Sequence, residues 1–393
     1  MDREGLSVCK ARGGVWSMKK PSSEKLIMWG LLFAALAGLT VLFLHREYSL
    51  ASVLSSIKTA DPFWLLPGIM AMGLFFICEG SNIGRCLRLA GHRVSFPGQL
   101  KYSMAGFFFS SITPSASGGQ PMQLYFMHKD GLPLSHSSLA LLTELTSFQA
   151  AAAALALAGL ACQGSPVLAA GAKAATGASP GPGSAGFWTG AGGGGSGGTV
   201  TLAILAAGVL ISTAVLAVLL FTIFSPAAAR IIASPVLWII DKFNSQNASI
   251  LRVRFLRGIC EYRRASQYIT KNPRAMAEIF LTSIIQLLAY FSITFCVCKS
   301  LGITGILWYD ITLNQAALYV AVSALPLPGA VGVTEGGFAL LFASLIPAEL
   351  MGVAIILSRF VSFALPLVAS GLSTFLLGSR HKRSIRHKKQ LTF

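Results

Sequence analysis

The sequence predicts an all-α polytopic membrane protein with about six full spans and two oppositely oriented re-entrant helical hairpins. Three observations predict this fold class. Of the 393 residues, 54% are hydrophobic and 11% are charged, whereas a typical soluble domain has about 25% charged residues. Apolar runs of about 20 residues, the length that crosses a bilayer, recur along the chain. Two shorter runs end in glycine- and proline-rich stretches, and irregular backbone at membrane depth occurs only inside protein or beside a water-filled cavity.

Six runs are long enough to be full spans, and they cover residues 26–44, 63–83, 137–161, 200–224, 275–298 and 350–377. The first run follows several lysines, a pattern that signal peptides and first membrane helices share. Its length favours a membrane helix. The runs together define an integral membrane domain over 26–377, between a basic N-terminal segment at 1–25 and a basic tail at 378–393.

Two further pairs of runs predict the hairpins. The first hairpin comprises 100–112 and 122–127, and the second comprises 306–325 and 338–346. The breaks between their arms contain Pro114, Gly118, Gly119 and Pro121 in the first hairpin, and Pro326, Pro328, Gly329 and Gly332 in the second. Paired interrupted segments in the two halves of a chain are typical of a transporter binding site, and hairpins of opposite orientation are compatible with an inverted repeat.

Basic residues are distributed unevenly between the predicted sides of the membrane. Of 31 lysines and arginines, 26 fall in segments predicted to be cytoplasmic and 4 in external segments, while Arg359 lies inside a span. This asymmetry predicts that both termini are cytoplasmic. It also explains the net charge of +17 without a nucleic-acid partner, because no soluble domain remains to carry a binding face.

Two long connections complete the predicted domain. The segment 163–199 is rich in Gly, Ala, Ser and Pro, and it predicts a flexible external loop. The segment 225–274 mixes apolar residues with many arginines, and it predicts interfacial helices on the cytoplasmic face. The seven cysteines include no Cys-x-x-Cys pair, so we expect neither a metal site nor a bound cofactor.

Charged residues inside the apolar runs are the candidate functional residues, because each costs about 2.5–3.5 kcal/mol on insertion scales. Glu79 and Glu278 are among them, and Glu278 lies close enough to the cytoplasmic interface for its side chain to reach it. Arg359 lies in the middle of the last span, and Glu335 lies beside the second break. We expect a functional cavity that holds both, with a purely structural ion pair as the alternative.

Several other polar residues are candidates to bind a substrate in that cavity. Glu144 lies inside its span and could face the same cavity, while Gln120 and Gln123 could donate hydrogen bonds from the first hairpin. Arginine and helix N-termini suit a phosphate, and carboxylates suit an amine. A phospholipid headgroup would satisfy both, and a proton or ion relay is the alternative.

The remaining candidates have equally plausible structural roles. Arg85 and Arg88 lie close enough to the cytoplasmic interface for their side chains to reach it. Asp310 could instead cap the first helix of the second hairpin. Each of the three is therefore a substrate-binding candidate with a structural alternative.

The two breaks resemble the signature stretches of the membrane region of the lysylphosphatidylglycerol synthase/flippase family. The first reads Thr-Pro-Ser-Ala-Ser-Gly-Gly-Gln-Pro from Thr113 and is followed by Tyr125. The second reads Leu-Pro-Leu-Pro-Gly-Ala-Val-Gly-Val-Thr-Glu-Gly-Gly from Leu325 and is followed by Arg359. The resemblance extends over about 25–377 and includes an arginine-bearing second span and a later glutamate-bearing span. The family often has an acidic residue where Gln120 stands, which argues against a direct charge role for the first hairpin.

The resemblance implies a bacterial inner-membrane lipid translocator. The substrate would be phosphatidylglycerol or lysyl-phosphatidylglycerol, and transport would support resistance to cationic antimicrobial peptides. Family members that synthesise the lipid carry a cytoplasmic synthase domain after the membrane region, whereas this sequence extends only to Phe393. We therefore expect the flippase part without the synthase part.

Other functions and partners are left open by the sequence. The alternatives are a lysyltransferase-family enzyme or subunit that acts with a separate synthase, a transporter of glycolipids or polyisoprenoid lipids, and a scaffold that uses the basic segment 225–274. A homo-oligomer is also compatible with the sequence.

Overall fold

The computed structural model describes residues 58, 60–113, 117–163, 196–224, 267, 272–323 and 333–374. These residues form nine helices: α1 (Pro62–Leu89), α2 (Phe96–Ile112), α3 (Gly119–Lys129), α4 (Leu134–Gln163), α5 (Ser196–Phe224), α6 (Pro273–Ser300), α7 (Trp308–Ser323), α8 (Val333–Phe342) and α9 (Ala348–Arg359). After α9 a π-helical turn, Phe360–Ala364, leads into a further helical segment that ends at Thr374. The described part of the chain contains no β-strand, which confirms the all-α prediction.

Five helical segments are long and apolar enough to cross a membrane: Pro62–Leu89, Leu134–Gly159, Ala206–Ile223, Pro273–Ser300 and Ala348–Thr374. They correspond to five of the six predicted spans. The predicted span 26–44 and the terminal segments 1–25 and 378–393 lie outside the described residues. The same is true of most of the predicted loop 163–199 and of the basic segment 225–274, although α5 already begins at Ser196.

Helices α1 and α6 form the central antiparallel pair. Asp61 caps α1 by accepting a hydrogen bond from the Phe63 N–H at 2.9 Å, and its own N–H donates to the Ser300 carbonyl at the end of α6 (2.8 Å). At the other end of the pair, the Asn82 side chain donates to the Ile279 carbonyl (3.3 Å). We call these two ends of the bundle the Ser300 end and the Leu89 end.

Hairpin 1 consists of α2 and α3, and it enters the bundle from the Leu89 end. Near its tip, Thr113 Oγ1 accepts a hydrogen bond from the Gly118 N–H at 2.8 Å. At its base, Asp130 accepts a hydrogen bond from the Tyr102 hydroxyl at 2.6 Å and pairs with the Lys101 ammonium. Contacts at both the tip and the base therefore join the two arms of the hairpin.

Glycines allow the two arms of hairpin 1 to approach closely. A Cβ added at Gly119 would lie 2.9 Å from the Gly106 carbonyl oxygen, and one added at Gly106 would lie 2.2 Å from Gln123 Nε2. Real Cβ atoms do not approach other atoms so closely. Glycine at position 119 therefore permits the close approach of the two backbones, while a side chain at position 106 would displace the Gln123 amide.

Hairpin 2 consists of α7 and α8, and it enters from the Ser300 end because α7 follows α6 directly. The two hairpins thus have opposite orientations, as predicted. The prediction placed the second arm at 338–346, whereas α8 begins at Val333 and ends at Phe342. Glu335 and the following glycines therefore lie in the first turn of α8 rather than in the break. The rings of Phe338 and Phe342 stack within α8, with their centroids 4.3 Å apart.

Helix α5 packs against α7 with its backbone close to the neighbouring chain. A Cβ added at Gly208 would lie 1.6 Å from the Ala321 carbonyl oxygen. One turn later, the Ser212 hydroxyl donates to the Val320 carbonyl at 2.6 Å. Small residues four positions apart are typical of close helix contacts in membranes.

Candidate functional site

The first polar site joins hairpin 2 to α9 through Glu335 and Arg359. Arg359 Nε donates a hydrogen bond to Glu335 Oε1 at 3.0 Å, and Arg359 Nη2 lies 2.9 Å from the same oxygen. The Glu335 side chain is 3% exposed, whereas 27% of the Arg359 side chain remains exposed. The carboxylate is therefore enclosed by the protein, while part of the Arg359 side chain is accessible.

Arg359 retains hydrogen-bonding capacity in this arrangement. Although Nη2 is close to Glu335, it makes no hydrogen bond within the described part of the chain, and the hydroxyl of the adjacent Ser358 is also buried without a partner. A guanidinium has five N–H donors in a fork that matches carboxylate and phosphate oxygens. The pair can therefore bind an additional anionic oxygen without first separating.

The helix that carries Arg359 has an irregular backbone directly after this residue. Arg359 lies roughly 17 Å along the helix axis from Ala348, inside the candidate span Ala348–Thr374. The π-helical turn Phe360–Ala364 follows it immediately. Such turns are rare and occur frequently at functional sites. This irregular turn at mid-span supports a functional interpretation of the pair.

The second polar site joins hairpin 1 to α1 through Glu79. Its Oε2 accepts a hydrogen bond from the Ser103 hydroxyl on α2 (2.8 Å), and its Oε1 accepts one from Gln123 Nε2 on α3 (3.0 Å). Gln123 Nε2 also donates to the Tyr102 carbonyl at 3.2 Å. One carboxylate on a span thus contacts both arms of the hairpin.

Glu144 belongs to this second site. It is half-buried on α4, where the residues one turn later, Ser147 and Phe148, contact Ser283 on α6 and Phe75 on α1, and Glu79 is an electrostatic neighbour. Cys86 and Tyr319 are its other electrostatic neighbours. The sequence suggested that Glu144 could share a cavity with Arg359, and this stays a prediction, because the neighbours that the structure shows for Glu144 come from α1 and α7.

A chain of hydrogen bonds runs from the second site towards the Leu89 end. Ser147 and Ser283 share a hydrogen bond of 3.0 Å, and Asn82 donates to Ser283 at 3.1 Å. Arg85 Nη1 then donates to Asn82 Oδ1 at 3.0 Å and to the Thr282 hydroxyl at 2.5 Å. We call these five residues the polar seam, and it connects α1, α4 and α6.

The other predicted site residues that the structure describes are distributed over several elements. Arg85 is half-buried in the polar seam, whereas Arg88 is exposed in the last turn of α1. Gln120 is exposed in the first turn of α3, and Asp310 is half-buried in the first turn of α7. In the breaks, Gly118, Gly119 and Pro121 are described, while Pro114, Pro326, Pro328, Gly329 and Gly332 lie outside the described residues.

Sequence reasoning recognised the charge of Glu79 but did not assign it to a site. It also missed Asn82 and Ser283, which connect α1 to its neighbours. A signal was present, because Glu79 and Asn82 are three residues apart and therefore lie on one face of α1. Polar residues at that spacing in an apolar helix indicate a contact with another polar helix face.

Comparison with known proteins agrees with this architecture. Residues 27–370 match the family described as the lysylphosphatidylglycerol synthase TM region. A UPF0104 membrane protein from Archaeoglobus fulgidus is 25% identical over 341 residues, which cover 86% of this chain and 92% of that protein. The family match supports a role connected with membrane lipids. The chain belongs to the lysylphosphatidylglycerol synthase TM region family.

Proposed function

We propose that this protein is a phospholipid translocator that moves phosphatidylglycerol or its lysyl derivative between leaflets. The observation that carries this proposal is the ion pair of Arg359 and Glu335, whose carboxylate is buried and which joins a hairpin to the middle of a full span. A buried ion pair usually adds little to protein stability, because replacing it with hydrophobic residues of similar volume often gives a protein that is equally stable. Ionisable groups at this depth are costly and commonly functional.

The lipid phosphate binds Arg359 in this mechanism. The guanidinium offers its unused N–H groups, and Ser358 adds a buried hydroxyl beside it. A phosphate oxygen that binds there competes with Glu335 for the same cation. Binding therefore weakens the contact between α8 and α9, which gives the headgroup a direct effect on the position of hairpin 2.

Because the two hairpins have opposite orientations, a lipid headgroup could enter the bundle from either end. Hairpin 1 enters from the Leu89 end and hairpin 2 from the Ser300 end, so movement of each opens a different side. Rigid-body movement of one repeat against the other is the usual way in which such folds alternate access. We propose that the headgroup crosses between the hairpins while its acyl chains remain in the bilayer.

The biological role follows from the lipid. A translocator that places lysyl-phosphatidylglycerol in the outer leaflet makes that surface less anionic, and cationic antimicrobial peptides bind it more weakly. We propose a multi-pass protein of the bacterial inner membrane with both termini in the cytoplasm, in agreement with the distribution of basic residues. A separate synthase would supply the lysylated lipid.

Reconstitution into liposomes tests the proposal. The fraction of fluorescent phosphatidylglycerol that moves between leaflets is measured for the wild type, for Arg359→Ala and for protein-free liposomes. We expect movement with the wild type and a rate near the protein-free background with Arg359→Ala.

A matched control is Arg88→Ala, which removes an exposed arginine from the end of α1. It should retain the wild-type rate, because Arg88 does not contact the ion pair. If wild-type protein moves no lipid, or if Arg359→Ala moves lipid as fast as the wild type, the proposal is wrong.

A further inference from the structure

The second polar site combines two carboxylates with a buried amide oxygen that lacks a hydrogen-bond donor. Glu79 on α1 and Glu144 on α4 both adjoin the linked side chains of Asn82, Ser283 and Ser147, because each lies one helical turn from a member of that chain. Gln286 on α6 is 1% exposed, and its side-chain oxygen is buried without a hydrogen-bond partner. Two neighbouring carboxylates and a buried carbonyl oxygen are together an environment that favours an additional positive charge or donor.

Helix geometry places Gln286 on the side of α6 that faces this site. Ser283 precedes it by three residues and contacts Asn82 and Ser147, while Tyr290 follows it by four residues and packs against Phe75 at 5.5 Å. Residues at these spacings share a helix face. Asn82 and Phe75 lie on α1 on either side of Glu79, so Gln286 faces α1 at the level of Glu79.

We propose that Glu79 and Glu144 form a proton-binding site that couples movement of hairpin 1 to proton transfer across the membrane. This inference rests on the proposed lipid transport, for which it supplies an energy source. A proton from the water on one side binds to the pair, where the resulting hydroxyl donates to an acceptor such as Gln286, and the proton leaves to the water on the other side.

A proton suits this site better than a metal ion. Both oxygens of Glu79 already accept hydrogen bonds from Ser103 and Gln123. A metal cation such as Na⁺ would have to share these oxygens with donors that point towards them, whereas a proton needs only one lone pair. The described residues contain no group of three or more His, Cys, Asp or Glu side chains that could hold a metal ion.

The titratable neighbours of the pair come from several elements. On α1 these are Cys86, an electrostatic neighbour of Glu144, and Arg85, whose guanidinium is already bound in the polar seam. Tyr102 on α2 uses its hydroxyl on Asp130. The other titratable neighbours are Tyr290 on α6 and Tyr319 on α7.

Protonation reaches hairpin 1 through Gln123 and Ser103. Their side chains donate to Glu79, and hydrogen bonds to an ionised carboxylate are roughly twice as strong as those between neutral groups. A proton on Glu79 weakens both contacts at once. The hydrogen bonds that attach both arms of the hairpin to α1 are then weaker, and the hairpin can move away from α1 more easily.

A cycle of aromatic rings closes the bundle beyond the pair. Successive ring centroids lie 5.5–6.2 Å apart, and the five members are Phe75, Phe148, Tyr319, Phe291 and Tyr290. The cycle brings together α1, α4, α6 and α7. It separates the carboxylates from the Ser300 end in this conformation, while the polar seam runs towards the Leu89 end. A proton can therefore reach the pair from one side at a time.

The experiment uses proteoliposomes that contain the full chain and fluorescent phosphatidylglycerol. Lipid movement is measured with a pH difference imposed in each direction, and with a Na⁺ gradient at equal pH. For the wild type we expect rates that differ between the two directions by up to about tenfold per unit of pH difference. Glu79→Gln and Glu144→Gln should abolish this difference, whereas Glu278→Gln, which neutralises an exposed partner of Arg274, should preserve it.

An infrared titration of the carboxyl groups provides a readout that does not depend on transport. The absorbance of protonated carboxyl groups is compared across pH for the wild type and both glutamine variants. We expect a band that is lost in Glu144→Gln or in Glu79→Gln. The inference is overturned if both variants retain the wild-type titration, if the pH difference has no effect on a transporting wild type, or if only the Na⁺ gradient has an effect. Absence of any wild-type lipid movement would instead contradict the proposed function, and the titration would still decide whether the pair binds a proton.

Discussion

Gln123 of hairpin 1 donates a hydrogen bond of 3.0 Å to Glu79 of the first described span. Hairpin 2 shows the corresponding relationship with the roles exchanged, since its own Glu335 accepts a hydrogen bond from Arg359 of the last span. In each half, one carboxylate holds a hairpin against a full span. The two contacts differ in charge, because Gln123 is neutral and Arg359 is a cation.

Substitution of Gly106 should disturb the contact of hairpin 1 with α1. The added methyl group of Gly106→Ala would lie 2.2 Å from Gln123 Nε2 and should displace the amide from Glu79. Overpacking of this kind costs about 1–3 kcal/mol. We expect a lower unfolding temperature in detergent and slower lipid movement. Gly73→Ala is the control, because a Cβ added at Gly73 on α1 has no atom within 4 Å, and an unchanged Gly106→Ala protein would argue against the close packing.

The ion pair should respond differently to single and double neutralisation. Arg359→Ala removes the cation that contacts the buried carboxylate of Glu335, and breaking a buried ion pair by removing one partner typically costs about 3–5 kcal/mol. The double variant Glu335→Gln/Arg359→Met removes both charges, so we expect thermal stability near that of the wild type. Thermal unfolding in detergent measures both effects. Equal stability losses in the single and double variants would show that the charges are not coupled.

The polar seam should contribute to stability as a connected unit. Ser283→Ala removes contacts with both Asn82 and Ser147. Hydrogen bonds between membrane helices contribute about 0.6 kcal/mol on average, with a maximum near 1.7. A double-mutant cycle of Ser283→Ala and Asn82→Ala, measured by unfolding free energy, should give a coupling energy in this range. Additive effects would contradict the hydrogen bond between the two residues.

Substitution of Gly208 should separate α5 from α7. The Cβ of Gly208→Ala would lie 1.6 Å from the Ala321 carbonyl oxygen, which belongs to the backbone and cannot rotate away. We expect a marked loss of thermal stability and loss of the Ser212 hydrogen bond to Val320. The matched change Gly73→Ala should be tolerated. Cross-linking between cysteines introduced on α5 and α7 would report the separation directly, and unchanged cross-linking would contradict it.

The spans and hairpins could be predicted because they depend on local properties of the sequence. Apolar length defines a span, and glycine and proline interrupt a helix. The breaks at Thr113 and Leu325 therefore indicated both hairpins. The order of the spans and the distribution of basic residues between the two sides indicated that the hairpins have opposite orientations. The start of α8 was placed too late, because the glycines that follow Glu335 suggested a break although they continue the helix.

The rotation of each helix about its axis could not be predicted in the same way. Glu144 lies on a helix that is apolar on nearly all sides, so its sequence does not reveal which face meets which neighbour. The contacts of Ser147 with Ser283 and of Phe148 with Phe75, one turn later, turn Glu144 towards α6 and α1. Arg359 and Glu335 were easier to associate, because both charges lie in apolar segments that follow one another in the chain.

The most direct test of the central claim is the initial rate of fluorescent phosphatidylglycerol movement in liposomes that contain Glu335→Gln/Arg359→Met. This variant should remain folded, because no buried charge is left unpaired. A rate close to that of protein-free liposomes, together with a wild-type unfolding temperature, is the predicted result. A rate equal to that of the wild-type protein would contradict the claim that the pair binds the headgroup during transport.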